Sequence, residues 1–208
     1  MNKSLSALML AIFLGSSFVQ AEIVITDIQA VDLGTLPDGT SSIAYDINEF
    51  GNIVGRSDTP SDEIHAFYLP AGGVMQDLGT LTNGNSSVAH GLNDDDQVVG
   101  RSNILNPITN DLVNHGFIWE SGVMRDLGAF PPEDDINSSS TATAINNSGL
   151  ISGSVDLAGV VWNLNGTPNY PPFPPYARVT DPDPFSPANT EDINHAGQAV
   201  GTLVSFIT

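Results

Sequence analysis

The feature that most constrains this chain is that it repeats itself. Four asparagines, Asn48, Asn93, Asn146 and Asn194, stand in one local pattern. Each follows an isoleucine or leucine (Ile47, Leu92, Ile145, Ile193) and precedes a glycine seven residues on (Gly55, Gly100, Gly153, Gly201). Three residues after each anchor come Gly51, Asp96, Gly149 and Gly197. Six before stand Ser42, Ser87, Ser140 and Ala188, and four before stand Ala44, Ala89 and Ala142, with Thr190 departing. The anchors lie 45, 53 and 48 residues apart. A unit of that length cannot bury both its faces alone and must stack on its neighbours.

The short apolar runs in each unit are bounded by Gly, Asn and Ser, and none sustains a helical period, so they read as strands. The first runs from the Ser pair to the anchor. The second is the Ile53-Val54 type, ending at Gly55. The third holds Phe67 or Phe117, and the fourth carries Val-Met and Asp-Leu-Gly, as in Val74 to Gly79 and Val123 to Gly128. Leu69, Trp119 and Trp162 fall at one equivalent position. Between the first two strands, Asn-x-x-Gly is a turn signal: Asn bonds nearby backbone and Gly takes positive φ. Asp96 stands where the others have Gly, and Asp tolerates positive φ at a cost.

These readings predict an all-β, propeller-like array of about four four-stranded antiparallel repeats, the last incomplete. The units run roughly over residues 32–76, 77–125, 126–187 and 188–208 of a single domain, 22–208. The third unit lacks an Asp-Leu-Gly segment and carries a Pro-rich stretch, 168–187, instead. Asp32-Leu33-Gly34 is an extra copy of that segment at the start. It would complete the last unit if the ring closed; a shortened array with open strand edges is the other explanation.

Residues 1–21 read as a signal peptide: Lys3, the apolar run Leu5 to Leu14, then Val19-Gln20-Ala21. The expected location is therefore periplasmic or extracellular, with no transmembrane segment in the mature chain. Removing Lys3 takes the formal charge from −19 to −20, since every acidic residue lies beyond residue 21. Such a charge repels nucleic acid and anionic lipid. Proteins or glycans at the cell surface are the expected partners. With no cysteine, disulfides and thiolate chemistry are excluded.

Several positions are candidate sites. Asp94-Asp95-Asp96 is the most acidic tip and the candidate metal site, for Ca²⁺, although contiguous Asp lack the alternating spacing of a calcium loop. Glu133-Asp134-Asp135 is a second acidic loop. Tyr170, Phe173 and Tyr176 in the Pro-rich stretch are the candidate ligand-binding residues, since exposed aromatics suit sugars or peptides. No other cofactor and no catalytic residue is expected. A catalytic group is needed once, whereas Asn48, Gly51, Gly55, Asn93, Gly100, Asn146, Gly149, Gly153, Asn194, Gly197 and Gly201 recur and read as scaffold. His65 and His115 share one repeat position, filled by Ala158 in the third copy, and read as structural groups bonding backbone near a strand start. His90 and His195 read as surface residues.

The repeat resembles the extracellular HAF family. Its name tripeptide is His65-Ala66-Phe67, Asp32 to Leu36 and Asp77 to Leu81 are similar to its opening segment, and Asn48 to Ser57 and Asn93 to Ser102 to its centre. The likeness covers roughly residues 31–203. It implies an exported β-rich repeat protein and brings no defined activity. The expected function is a non-enzymatic interaction or structural module of unknown ligand. The alternatives are a carbohydrate-active or other hydrolytic propeller, and a shortened array with little independent function.

Overall fold

The structure is a computed structural model that describes residues 30–128, 138–156, 158–163, 177–178 and 188–203. The expected leader (1–21), the acidic run 133–135, and Tyr170, Phe173 and Tyr176 lie outside the described residues. Nearly everything described falls in one compact unit, Leu33–Thr208. Among the described residues it is all-β, with no helix.

Each repeat is one antiparallel sheet with its strands in chain order. The first holds β1 (Ser42–Ile47), β2 (Ile53–Asp58), β3 (Ile64–Leu69) and β4 (Gln76–Asp77). The second holds β5 (Ser87–Leu92), β6 (Val98–Leu105), β7 (Leu112–Glu120) and β8 (Val123–Gly128). The third holds β9 (Ser140–Ile145), β10 (Leu150–Val155), β11 (Ala158–Asn163) and β12 (Ala177–Arg178), so a two-residue strand in the middle of the Pro-rich stretch takes the place of the missing segment. The fourth sheet pairs β13 (Ala188–Ile193) with β14 (Ala199–Leu203).

The anchors occupy matching bends. The N–H of Gly51, Asp96, Gly149 and Gly197 donates to the C=O of Asn48, Asn93, Asn146 and Asn194 at 3.0, 3.3, 3.0 and 3.0 Å. All four take positive φ, Asp96 at 58°. A one-residue bulge also recurs: Tyr45, His90, Thr143 and Glu191 are each the extra residue in the first strand of their sheet. In the first and third repeats the bulged side chain reaches the next one: Tyr45 lies edge-on to His90, and Thr143 Oγ1 donates to the Thr190 carbonyl at 2.7 Å.

The second strand does not end at the glycine, as the sequence reading has it. β2, β6 and β10 run through Gly55, Gly100 and Gly153, which lie in mid-strand because no side chain fits there. A Cβ would stand 2.0, 2.0 and 2.1 Å from the carbonyls of Ile43, Val88 and Thr141. In the first two repeats Phe67 and Phe117 also press on this point, on the strand directly opposite. Val160 stands opposite Gly153 and is smaller, and Trp162 reaches over to supply the missing volume.

The sheets stack in order, β2 and β3 on β5, β6 and β7 on β9, β10 and β11 on β13. Apolar side chains fill two of these junctions. Val54, Ala66 and Tyr68 meet Ala89, Leu92, Val98 and Phe117, while Val99 and Ile118 meet Ala142, Ile145, Ile151 and Trp162. Burial of such surface contributes about 25 cal/mol per Å², and it is this term that stacking secures for a sheet with two apolar faces.

The N-terminal segment does not complete the last sheet. Leu36 is buried with Phe67 and Met75, and Leu33 packs beside them, in the first repeat. The Leu36 N–H donates to Ser57 Oγ at 3.0 Å, as Leu81 N–H does to Ser102 Oγ at 2.9 Å. The Asp-Leu-Gly-Thr-Leu segment thus docks on the repeat that follows it, for the same physical reason at both places.

Candidate functional site

The most developed polar arrangement among the described residues is the seam along which the repeats stack. At each anchor the asparagine amide works in two directions. Its Oδ1 accepts from two N–H groups of its own turn: Phe50 and Asn52, Asp95 and Gln97, Ser148 and Leu150, Ala196 and Gln198, at 2.9 to 3.1 Å. Its Nδ2 donates to the anchor carbonyl of the next repeat. Asn48 reaches Asn93 at 3.1 Å, Asn93 reaches Asn146 at 3.2 Å, and Asn146 reaches Asn194 at 2.8 Å. The result is an asparagine ladder through all four repeats. Asn194 ends it, its Nδ2 turned back to Gln198 Oε1 at 2.8 Å.

A serine lattice runs beside the ladder. Ser87 Oγ donates to the Gly79 carbonyl at 2.5 Å and accepts from Ala66 N–H of the previous repeat at 2.7 Å. Ser140 Oγ does the same with Gly128 and Gly116, at 2.5 and 2.8 Å. Both hydroxyls satisfy buried backbone groups that the sheet ladders leave over. In the first repeat Ser42 Oγ donates to the Gly34 carbonyl at 2.6 Å, and Ser42, Arg56, Asp58 and Ile64 help line a cleft of about 90 Å³. A preceding third strand fills this place in the second and third repeats.

The acidic tip belongs to the seam. Asp94 Oδ1 accepts from Glu49 N–H of the first repeat at 3.1 Å, and Asp94 Oδ2 accepts from Asn147 Nδ2 of the third at 2.6 Å. Asp96 Oδ1 accepts from Asn52 Nδ2 at 2.7 Å and Asn48 Nδ2 at 3.4 Å. Burial first, then the hydrogen bond to Asp96 and that carboxylate's charge, together push the Tyr68 hydroxyl up to about 12. Asp96 thus gathers three donors from the first repeat, which explains why Asp stands where the other copies have Gly. The carboxylates of Asp94 and Asp96 diverge toward different neighbours. Among the described residues no group of three or more His, Cys, Asp or Glu converges on one point.

Restoring the glycine tests this account. Asp96→Gly relieves the positive-φ cost, about 1 kcal/mol, but loses charge-assisted bonds that contribute about 1.5–3 kcal/mol. The expected net result is a loss of about 1 kcal/mol in urea unfolding; a gain in stability would remove Asp96 from the seam.

His65 and His115 do not bond backbone. His65 Nδ1 lies 2.9 Å from Asp77 Oδ2, and His115 Nδ1 lies 2.9 Å from Asp126 Oδ2. The same aspartates accept from the N–H of Gly79 and Gly128 at 2.7 Å. The pair ties the third strand to the Asp-Leu-Gly turn, so the sequence of the third repeat, with Ala158 and no Asp-Leu-Gly segment, lacks both partners together. His90 is not a free surface residue: it is half-buried, edge-on to Tyr45 with ring centroids 5.9 Å apart. Burial holds its imidazole below the ordinary value, and Arg101 adds to this. His195 is exposed.

The hydrogen bond to Asp77 raises His65 above 6.5, against the opposing effect of burial. Burial pushes Asp77 up, yet the bonds from His65 and Gly79 N–H outweigh it and leave it below 3.8. The His65 contribution to stability is therefore full below pH 6.5 and fades as pH rises through its raised value. That of Asp77 is present above pH 3.8 and fades as pH falls through its lowered value. In Asp77→Asn burial, which lowers His65, is opposed by the weaker effect of the Glu63 charge 3.7 Å from Nε2, and burial prevails. The His65 ring titration, followed by NMR, should move from above 6.5 to below it; an unmoved midpoint would mean the pair is not what holds the proton.

No protein-family model matches this chain, and neither does any curated protein or solved structure.

Proposed function

We propose that the chain is an exported, non-enzymatic member of the HAF-repeat family, an open propeller-like array that serves as an interaction or structural module at or beyond the cell surface. One observation carries this reading: the recurring polar side chains are spent inside the array. The anchor asparagines join repeat to repeat, the recurring serines close backbone gaps, the histidines of the His-x-Phe positions hold their own aspartates, and Asp94 and Asp96 serve amide donors across the seam. Groups held in that way are scaffold, and what is left for function is surface. The cleft beside Ser42 has a volume of about 90 Å³, well below the roughly 300–1,000 Å³ of small-molecule sites.

The leader pattern and the strong negative charge support export, and the charge favours protein or glycan partners over nucleic acid. Among the described residues no helix is long and apolar enough to cross a membrane. Fractionation of bacteria producing the full chain tests the reading, together with mass spectrometry of its N-terminus and a screen of glycan, ester and peptide substrates. The expected product starts at Glu22, outside the cytoplasm, and turns over none of them. An intact leader on a cytoplasmic protein would overturn export. Turnover that one substitution abolishes would overturn the non-enzymatic role.

A further inference from the structure

The two ends of the stack are complementary halves of one interface. At every internal junction the back of one repeat meets the front of the next. The front is the first strand: Leu92, Ile145 and Ile193, just before their anchors, are 5%, 8% and 5% exposed under the preceding repeat. In the first repeat the equivalent Ile47 is 60% exposed, with Ile43, Ala44 and Phe50 open beside it. The back carries the second strand: Val54, Val99 and Ser152, six residues after their anchors, are 0% exposed under the following repeat. In the last repeat the equivalent Val200 is 63% exposed, and Gly201 is exposed too.

The polar groups follow the same split. The Nδ2 atoms of the first three ladder members donate forward to the next anchor carbonyl, whereas the exposed Asn194 donates to Gln198 Oε1 of its own turn. Asp46 Oδ1 accepts from its neighbour Ile47 N–H at 2.8 Å while Oδ2 accepts from Leu92 N–H of the second repeat at 3.0 Å. Asp192, at the same repeat position, makes the first of these bonds, to Ile193 N–H at 2.7 Å.

We propose that the open front of the first repeat is a docking surface for the open back of the last repeat of a second copy, so that copies associate head to tail. The occupant is specified by the molecule itself, which builds this contact three times in one register, with one ladder bond at each junction. β13 and β14 carry the parts of the back that face the ladder, Asn194 and Val200, and these meet the β1 face. The contact is heterologous: it consumes one front and one back and leaves one of each, so it propagates into filaments unless the rotation closes a ring. Like charge on the copies opposes it, and salt screens that repulsion. The proposal deepens the structural-module reading by naming a partner, but does not require export.

The test is sedimentation of the purified full chain over roughly 1 to 200 µM, in low and high salt, with two variants, Ile47→Asp and Val200→Asp. Both positions are exposed, so the fold should survive, and circular dichroism checks it. Ile43→Lys and Val200→Lys replace either variant that loses its β signal. The wild type is expected to grow in mass with concentration, more so in high salt. Each variant alone should weaken this by about tenfold or more, because each lacks one half of the contact. Mixed together, they should give a one-to-one pair and nothing larger, since one keeps its back and the other its front. A wild type monomeric throughout the range overturns the proposal, as intramolecular closure or a different occupant would produce. So does loss of association in the front variant alone, the mark of a symmetric front-to-front dimer, and so does a mixture that fails to pair. None of these outcomes bears on the location or on the substrate screen.

Discussion

Gly100→Ala is expected to destabilise the chain by about 3 kcal/mol or more, a large share of the roughly 5–15 kcal/mol that holds an ordinary domain together. The new methyl would lie 2.0 Å from the Val88 carbonyl oxygen, 2.9 Å from Ala89 Cα and 3.0 Å from Phe117 Cε1. The first two are backbone of the adjacent strand, held by the β5–β6 pairing and its bulge. Relief therefore means parting the two strands or tearing the bulge, not rotating a side chain. Overpacking of this kind costs more than the one to three kcal/mol typical where side chains can yield. A matched control separates backbone strain from collision. Gly122 has φ of 85° with nothing within 4 Å of a Cβ, so Gly122→Ala should cost about 1 kcal/mol, from φ alone. Trimming the aromatic in Gly100→Ala/Phe117→Leu should not rescue the double variant, because the carbonyl contact persists. Urea unfolding followed by circular dichroism reads all three; a Gly100→Ala loss no larger than that of Gly122→Ala would show that the strands can separate freely.

What could be read from residues alone depended on how local the physical cause is. The turn at Asn48 is local: an amide that bonds its own backbone and a glycine at φ of 80° are encoded within four residues, so the bends were legible and so was the strain accepted at Asp96. Gly100 was legible as a recurring position but not for its reason. The cause is a carbonyl on another strand, and its position depends on register and bulge. The second function of the anchor asparagine was hidden in the same way, although a signal existed. Asp or Ser would also satisfy the turn N–H groups, yet all four anchors are Asn, and of the three only the amide both accepts two bonds and donates two. The joint loss of His and of Asp-Leu-Gly from the third repeat carried a similar signal, since a pair that disappears together has been in contact. Tyr45 and His90 gave none: as bulge residues they break the alternation that strand reading relies on. The partners of the acidic tip gave no signal either, because the donors that meet Asp94 and Asp96 come from other repeats, 44 to 53 residues away in the chain.

Asn93→Ala should cost about 2–4 kcal/mol, and Asn194→Ala about 1 kcal/mol, although the two residues occupy the same place in their turns. Asn93 is buried, and its loss strands the N–H groups of Asp95 and Gln97, the Gln97 Oε1 acceptor at 2.7 Å and the Asn146 carbonyl at 3.2 Å. The Asn146 carbonyl, met by a buried bond, keeps the full cost of desolvation and the half-buried Gln97 groups keep part of it, whereas water re-solvates the groups around the exposed Asn194. The difference between the variants therefore isolates the forward bond and its burial from the turn itself. Asn93→Asp sharpens the test. It preserves an acceptor for the two turn N–H groups but places a carboxylate against two oxygens, Gln97 Oε1 and the Asn146 carbonyl, so at neutral pH it should be no more stable than the alanine variant. Protonation supplies an O–H donor, so the burden should ease as pH falls, opposite in sign to the loss that Asp77 brings to the wild type in acid. Equal losses for Asn93→Ala and Asn194→Ala, or an aspartate variant as stable as wild type at pH 7, would reduce the ladder to four independent turns. The stacking of the repeats, and the open ends that follow from it, would then rest on apolar contact alone.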